Sequence, residues 1–236
     1  MYDYTYLIFV LPAVLLSLWA SSAVNSRFSK YNKVHSRKGI TGAQAAELLL
    51  RANGIYDVKI RHISGNLTDN YNPGNKILSL SDSTYSSTSI AAIGVAAHET
   101  GHAIQHKVGY APLGLRSTLV PVANIGSRLG PLLVIAGLGF GYFGSRESLA
   151  ISQLIMNAGI LLFSGAVLFY IITLPVEFNA SRRALKILHQ TGTLDSSELA
   201  GTRSVLWAAA MTYVASALTA VGQLLRLLFI SQRRRR

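Results

Sequence analysis

Ser89–Lys107, which reads SIAAIGVAAHETGHAIQHK, is the stretch from which the fold of this chain is best predicted. A polar run at residues 83–88 precedes it, and residues 91–97 are small and apolar, so the sequence predicts one helix buried inside the protein. Residues four apart lie on the same face of a helix, so His98 and His102 present two imidazoles to one point. A buried pair of this kind is costly unless a metal ion or hydrogen bonds satisfy it.

The residues from His98 to His102, HETGH, match the H-E-x-x-H pattern of zinc metallopeptidases. Imidazole is a good ligand for Zn²⁺, and Glu99 lies beside the pair, where it is placed to hold and deprotonate a water on the metal. The alternative is a helix whose two histidines merely face a polar surface. The apolar turns before the motif favour zinc.

A third ligand is expected, because a catalytic zinc usually has three protein ligands and one open position. His106 continues the series of histidines but lies about 12 Å along the helix axis from His98, so we predict a surface or supporting role for it. Glu177 is the best-placed acidic residue, in the first turn of a helix predicted over Pro175–Gln190. The alternative for Glu177 is an acid favoured by the helix dipole. Ser181, one turn later, is placed to hydrogen-bond a ligand histidine.

The composition indicates a membrane protein. Half of the 236 residues are hydrophobic and only 14% are charged, which is unusual for a soluble domain. The N-terminal apolar stretch lacks a basic segment before it, so we predict an uncleaved anchor rather than a signal peptide. Four apolar stretches are long enough to cross a bilayer: Tyr6–Val24, Leu129–Phe143 when extended back to about Leu119, Ile151–Leu174 and Val205–Ile230.

The net charge of +12 comes largely from basic residues that flank these stretches, at positions 27–38 and 182–186. That distribution is expected from the positive-inside rule and from contact with anionic membrane lipids. No nucleic acid is expected as a partner, because no recognition module accompanies the charge. The sequence thus predicts a multi-pass protein of the cell membrane, and it predicts no particular oligomeric state.

The same rule predicts which side of the membrane carries the motif. Residues 25–117 are expected in the cytoplasm, and Ser145–Ser148 is expected to form a short outer loop between the second and third spans. The last stretch, Val205–Ile230, stays open. If it crosses, Arg233–Arg236 lies outside, against the rule; if its second half only dips into the membrane, the conflict eases.

The expected fold class is mainly α, a multi-span membrane protein with a small α+β zinc domain. That domain is predicted to contain a helix over Gly42–Asn53 and strands over Tyr56–His62 and Lys76–Ser81. The strand directly before the motif helix is expected to be an edge strand, either one that pairs with an extended substrate backbone or an ordinary one. Five segments follow: an N-terminal membrane anchor (1–24), a catalytic region with the motif helix (25–117), a transmembrane hairpin (118–174), the third-ligand helix and loop (175–204), and a C-terminal hydrophobic helix with a basic tail (205–236).

Three motifs, AHETGHAIQ at Ala97–Gln105, LPVEFNASRRA at Leu174–Ala184 and AAAMTYVA at Ala208–Ala215, resemble the YugP-type bacterial neutral zinc membrane metallopeptidases. The resemblance extends over nearly the whole chain. That group is similar in plan to membrane gluzincins, in which a glutamate on a second helix is the third zinc ligand, and Glu177 matches it. Such relatives often have an aspartate one turn later, where this chain has Ser181.

The motif and the resemblance together predict a zinc-dependent membrane metalloendopeptidase that acts on protein or peptide substrates. Zinc held by His98, His102 and Glu177 would activate a water, and Glu99 would take its proton and deliver it to the leaving amine. The resemblance also implies Tyr213 as a donor to the oxyanion; a tyrosine packed in a core or at the membrane interface is equally compatible with the sequence.

Two other functions stay open. One is a non-proteolytic membrane scaffold or chaperone with a structural zinc site, although structural zinc normally takes four protein ligands. The other is a channel or carrier with a coincidental motif, although few charges lie inside the second and third spans. The chain has no cysteine, which excludes thiolate ligands and disulfides.

Overall fold

The structure is a computed structural model that describes residues 4–143 and 146–233. In these residues the chain is mainly helical, with one small sheet. The helices are α1 (Tyr4–Phe9), α2 (Leu11–Tyr31), α3 (Gly42–Ala52), α4 (Ile90–Lys107), α5 (Ala111–Phe143), α6 (Arg146–Gln190) and α7 (Ser196–Arg233), and the strands are β1 (Lys59–Ile63), β2 (Asn70–Asn72) and β3 (Ile77–Ser81).

The chain divides into two compact units, each built from separate parts of the sequence. The apolar unit comprises residues 1–19, 115–174 and 213–236, and the mixed unit comprises residues 20–114 and 175–212. Helices α2, α5, α6 and α7 contribute residues to both. The residues of the HETGH motif and Glu177 all belong to the mixed unit.

Three helical segments among the described residues are long and apolar enough to cross a membrane: Ala111–Gly141, Ser148–Gln190 and Ser196–Gln232. They contain two of the four apolar stretches that the sequence predicts, including the last, and all but the final two residues of a third, the stretch that ends at Phe143. The first predicted stretch, Tyr6–Val24, is not one continuous helix, because a turn at Val10 separates α1 from α2. Pro12 lacks the N–H that would continue the helical ladder there. An N-terminal membrane anchor stays a prediction.

Within the apolar unit, α5 and α6 pack against each other through glycines. A methyl group at Gly130 would lie 2.7 Å from Cβ of Phe163, and one at Gly137 would lie 2.8 Å from the carbonyl oxygen of Ser152. Small residues allow helix backbones to approach this closely in apolar surroundings. Of the outer loop predicted over Ser145–Ser148, residues 146–148 belong to α6, which begins at Arg146; Gly144 and Ser145, like residues 1–3 and 234–236, lie outside the described residues.

The mixed unit is built around α4. Ser89 caps its N-terminus, and fourteen of its eighteen residues are buried. Helix α3 begins at Gly42, as the sequence predicts, and packs on α4; Thr41 and Gln44 form a capping box at its start. The core between the helices and the sheet includes the fully buried side chains of Leu49, Leu78, Leu80, Ile93 and Leu188.

The sheet has the order β1-β3-β2, with β1 parallel and β2 antiparallel to β3. The prediction that an edge strand precedes the motif helix is therefore wrong, because that strand, β3, is the central one. Four of its five residues are buried, as expected for a strand with neighbours on both sides. The edge strands are β1 and β2.

Helix α6 also differs from the prediction. The helix expected to begin at Pro175 instead continues through it, and Pro175 lies well inside α6. Proline removes one hydrogen bond from the helical ladder, but long apolar helices tolerate this where neighbouring groups compensate. Glu177 is therefore an interior helical residue, so the alternative of an acid placed by a helix N-terminus does not apply.

The cap of α4 gives a test of the packing. The Ser89 hydroxyl accepts from the Ala92 N–H at 3.1 Å and donates to Asn32 Oδ1 at 2.8 Å. Ser89→Ala is expected to lower the free energy of unfolding by about 1 kcal/mol, because a buried N–H loses its partner. Denaturant unfolding followed by circular dichroism measures it. Ser86→Ala, at an exposed position in the same run, is the control; equal losses in both variants would contradict the capping role.

Candidate metal centre

The site forms where α4 and α6 approach within backbone contact. A methyl group on Gly101 would lie 2.5 Å from the carbonyl oxygen of Ala180 and 3.1 Å from its carbonyl carbon. Only glycine fits at this distance, because the neighbouring atoms are backbone and cannot turn away. The contact places the face of α4 that carries His98 and His102 against the face of α6 that carries Glu177.

Three ligand-type atoms meet at this crossing. One atom from each of His98, His102 and Glu177 lies within 4.8 Å of the other two. The Glu177 Oε2 atom is 3.1 Å from His98 Nε2 and 3.5 Å from His102 Nε2. All three side chains are largely buried, with 13%, 10% and 2% exposed in that order. Two imidazole nitrogens and one carboxylate oxygen fit a zinc ion with a fourth position open.

Glu99 lies between the two histidines in sequence and is also buried. Burial raises the pKa of its carboxyl above the ordinary value, and the nearby charges of His102 and His98 oppose that shift. A buried carboxyl group that interacts electrostatically with all three residues of the cluster is suited to exchange a proton with a molecule held there.

The Nδ1 atom of each of the two histidines, His98 and His102, has a hydrogen-bond partner. His98 Nδ1 lies 3.1 Å from the Ser181 hydroxyl, and a contact between Ser181 and a histidine of the motif is what the sequence predicts. His102 Nδ1 lies 3.0 Å from Gln105 Oε1. Gln105 was not predicted as a site residue, although its position three residues after His102 on a buried helix is a signal for such a contact.

Two other residues considered from the sequence lie elsewhere. His106 is exposed, and its Nδ1 lies 2.9 Å from the Tyr71 hydroxyl. The cluster of ligand-type atoms found in the described part of the chain does not include His106. Tyr213 is a half-buried residue of α7 in the apolar unit. Its role as an oxyanion donor stays a prediction.

Comparison with known proteins identifies a family whose model matches this chain. A family model described as "Putative neutral zinc metallopeptidase" matches residues 6–232, a range that includes the whole site. A curated protein of Bacillus subtilis (strain 168), "Putative membrane protease YugP", is 44% identical over 225 residues, which cover 95% of this chain and 96% of that protein. No solved structure matches the chain.

The helix crossing can be tested by adding one methyl group. Gly101→Ala is expected to push α4 and α6 apart, to destabilise the protein by about 1–3 kcal/mol and to weaken zinc binding. Calorimetric unfolding and zinc titration measure the two effects. Gly114→Ala is the matched control, because a methyl group at that helical glycine meets no atom within 4 Å. Unchanged zinc affinity in Gly101→Ala would contradict the role of this contact.

Proposed function

The chain belongs to the neutral zinc metallopeptidase family, and from that membership we propose that it is a zinc-dependent membrane metalloendopeptidase that hydrolyses peptide bonds in proteins or peptides. One observation carries this proposal beyond the family name. His98, His102 and Glu177 converge in a largely buried site, and Glu99, which is also buried, interacts electrostatically with all three.

In the proposed mechanism His98, His102 and Glu177 hold the metal. Zinc supplies Lewis-acid chemistry there, which makes water acidic enough to lose a proton near neutral pH. Glu99 takes the proton of the attacking water and delivers it to the leaving amine as the peptide bond breaks. Burial of all four side chains keeps bulk water away from these charges and strengthens their interactions. Tyr213 stays the candidate for an additional oxyanion donor.

The free edge of β2 is the candidate for binding an extended substrate. Strand β2 contacts α4, and its Tyr71 reaches His106, one turn after the ligand His102. Its other side already pairs with β3. An extended peptide adds to such an edge through main-chain hydrogen bonds, which suits a peptidase that accepts varied side chains.

The donor set also bears on the alternative of a scaffold or chaperone with structural zinc. Structural zinc sites usually close four protein ligands around the ion. Among the described residues the cluster supplies one atom from each of three side chains. An open position supports catalysis over a purely structural role.

Substitution of the two glutamates separates metal binding from chemistry. Glu99→Gln is expected to keep zinc and to lower kcat by about 10²–10⁴-fold, because only proton transfer is lost. Glu177→Ala is expected to lose both zinc and cleavage. Zinc stoichiometry and cleavage of a denatured reporter protein are measured on the same preparations.

The control is Glu47→Gln, at an exposed glutamate paired with Arg51 on α3, which should retain both properties. Full zinc occupancy in Glu177→Ala would rule out Glu177 as a ligand. Stoichiometric zinc in the wild type without any cleavage would favour the scaffold.

We further propose that the mixed unit faces the cytoplasm, as the charge distribution predicts. The chain has no cysteine, so single cysteines can report the side directly. Tyr56 is 80% exposed, and Tyr56→Cys is expected to react with a membrane-impermeant maleimide only after the cells are opened. Ser145→Cys, in the predicted outer loop, is expected to react in intact cells. The reverse pattern would place the site outside.

A further inference from the structure

Gln105 is a fully buried polar side chain beside the metal centre, and its amide bridges α4 and α6. Its Oε1 lies 3.0 Å from His102 Nδ1. Its Nε2 donates to the carbonyl oxygen of Val176 at 2.8 Å and to Asn179 Oδ1 at 3.0 Å.

The partners leave the Gln105 amide only one orientation. A backbone carbonyl accepts hydrogen bonds and cannot donate them, so the NH₂ group of Gln105 must face Val176. The Oε1 atom then faces His102 Nδ1, and because an amide oxygen can only accept, the ring proton lies on Nδ1. In a neutral imidazole the other nitrogen, Nε2, then carries the lone pair that a metal needs.

Arg183 fixes the orientation of Asn179, the next residue of the hydrogen-bond network, in the same way. Its Nε–H, which only donates, lies 2.7 Å from Asn179 Oδ1. Asn179 must therefore present its oxygen to both Arg183 and Gln105. Because the Arg183 Nε–H only donates, it gives the network one direction, from Arg183 through Asn179 and Gln105 to His102.

The Nδ1 atom of the other histidine faces a partner that does not decide whether Nδ1 carries the proton. His98 Nδ1 faces the hydroxyl of Ser181, which can donate or accept. Glu177 Oε2 is also closer to His98 Nε2, at 3.1 Å, than to His102 Nε2, at 3.5 Å. The longer distance is outside the ordinary range of an N–H···O hydrogen bond, whereas the contact to Gln105 is inside it.

We propose that Gln105, Asn179 and Arg183 are positioning residues that hold His102 in the Nδ1–H tautomer with its Nε2 lone pair directed at the metal centre. The inference about metal rests on the proposed function, whereas the tautomer belongs to the chain itself. Partners of ligand histidines typically change metal affinity about 10–100-fold when they are removed.

The first experiment removes the bridge while keeping its volume. In the zinc-free protein, in alkaline buffer where the imidazoles are neutral, ¹⁵N-histidine NMR is expected to show the Nδ1–H tautomer for His102. In Gln105→Met the Nδ1 proton loses its acceptor and is expected to move to Nε2, which faces the Glu177 carboxylate. Zinc titration against a chelator is expected to show about 10–100-fold weaker binding in this variant.

The second experiment asks whether Arg183 acts by holding Asn179 with its side-chain oxygen toward Gln105. Arg183→Met is expected to weaken zinc binding and to populate the wrong His102 tautomer, less than Gln105→Met does, because Val176 still holds Gln105. Adding Asn179→Asp is expected to restore both, since a carboxylate presents only acceptors to Gln105. Arg182→Met, at the exposed neighbouring arginine, is the matched control.

A merely structural role for Arg183 would not be rescued by Asn179→Asp, so failure of the rescue would overturn the proposal. The Nδ1–H tautomer and wild-type zinc affinity in Gln105→Met would also overturn it. If the wild type binds no zinc, the proposed function fails, and the NMR experiment still decides the orientation of His102. Circular dichroism of each variant separates these outcomes from misfolding.

Discussion

The backbone contact between Gly101 and Ala180 is the constraint on which the rest of the site depends. It brings two helices together at a distance that no side chain at position 101 would allow. His102 directly follows Gly101, and His98 and Glu177 each lie three residues before one of the two contacting residues, so the spacing of the helices at this contact sets the spacing of the proposed ligand atoms. The glycine inside HETGH is therefore as much a part of the site as its histidines.

Bringing the helices so close also buries several polar groups, and the protein satisfies them with one another. His98 Nδ1 faces Ser181 on α6, and His102 Nδ1 faces Gln105 on α4. The Gln105 amide also donates hydrogen bonds to Val176 and Asn179 on α6. A buried polar group without a partner costs about 1–3 kcal/mol, so this network is stable only when it is complete. Such completeness makes the histidines rigid before any metal arrives, which reduces the ordering that metal binding requires.

The sequence alone predicted the parts of this arrangement that depend on periodicity within one helix. The spacing of His98 and His102 requires only helical geometry, and Glu177 followed from the small number of acids. What depends on tertiary pairing was missed. Strand β3 was expected at an edge because β2, with the sequence Asn-Tyr-Asn, carries no alternating apolar pattern that would announce a neighbour. Gln105 was overlooked because its role arises only when α6 lies beside it.

The same dependence on distant pairing shapes how the site forms. His98 and Glu177 are 79 residues apart in sequence, and the segment between them includes residues 115–174 of the apolar unit. Contacts across such a separation must overcome the entropy of closing a long loop. The mixed unit contains every proposed ligand, yet the sequence between them runs through the apolar unit, so closing this loop requires that residues 115–174 adopt a compact arrangement of their own.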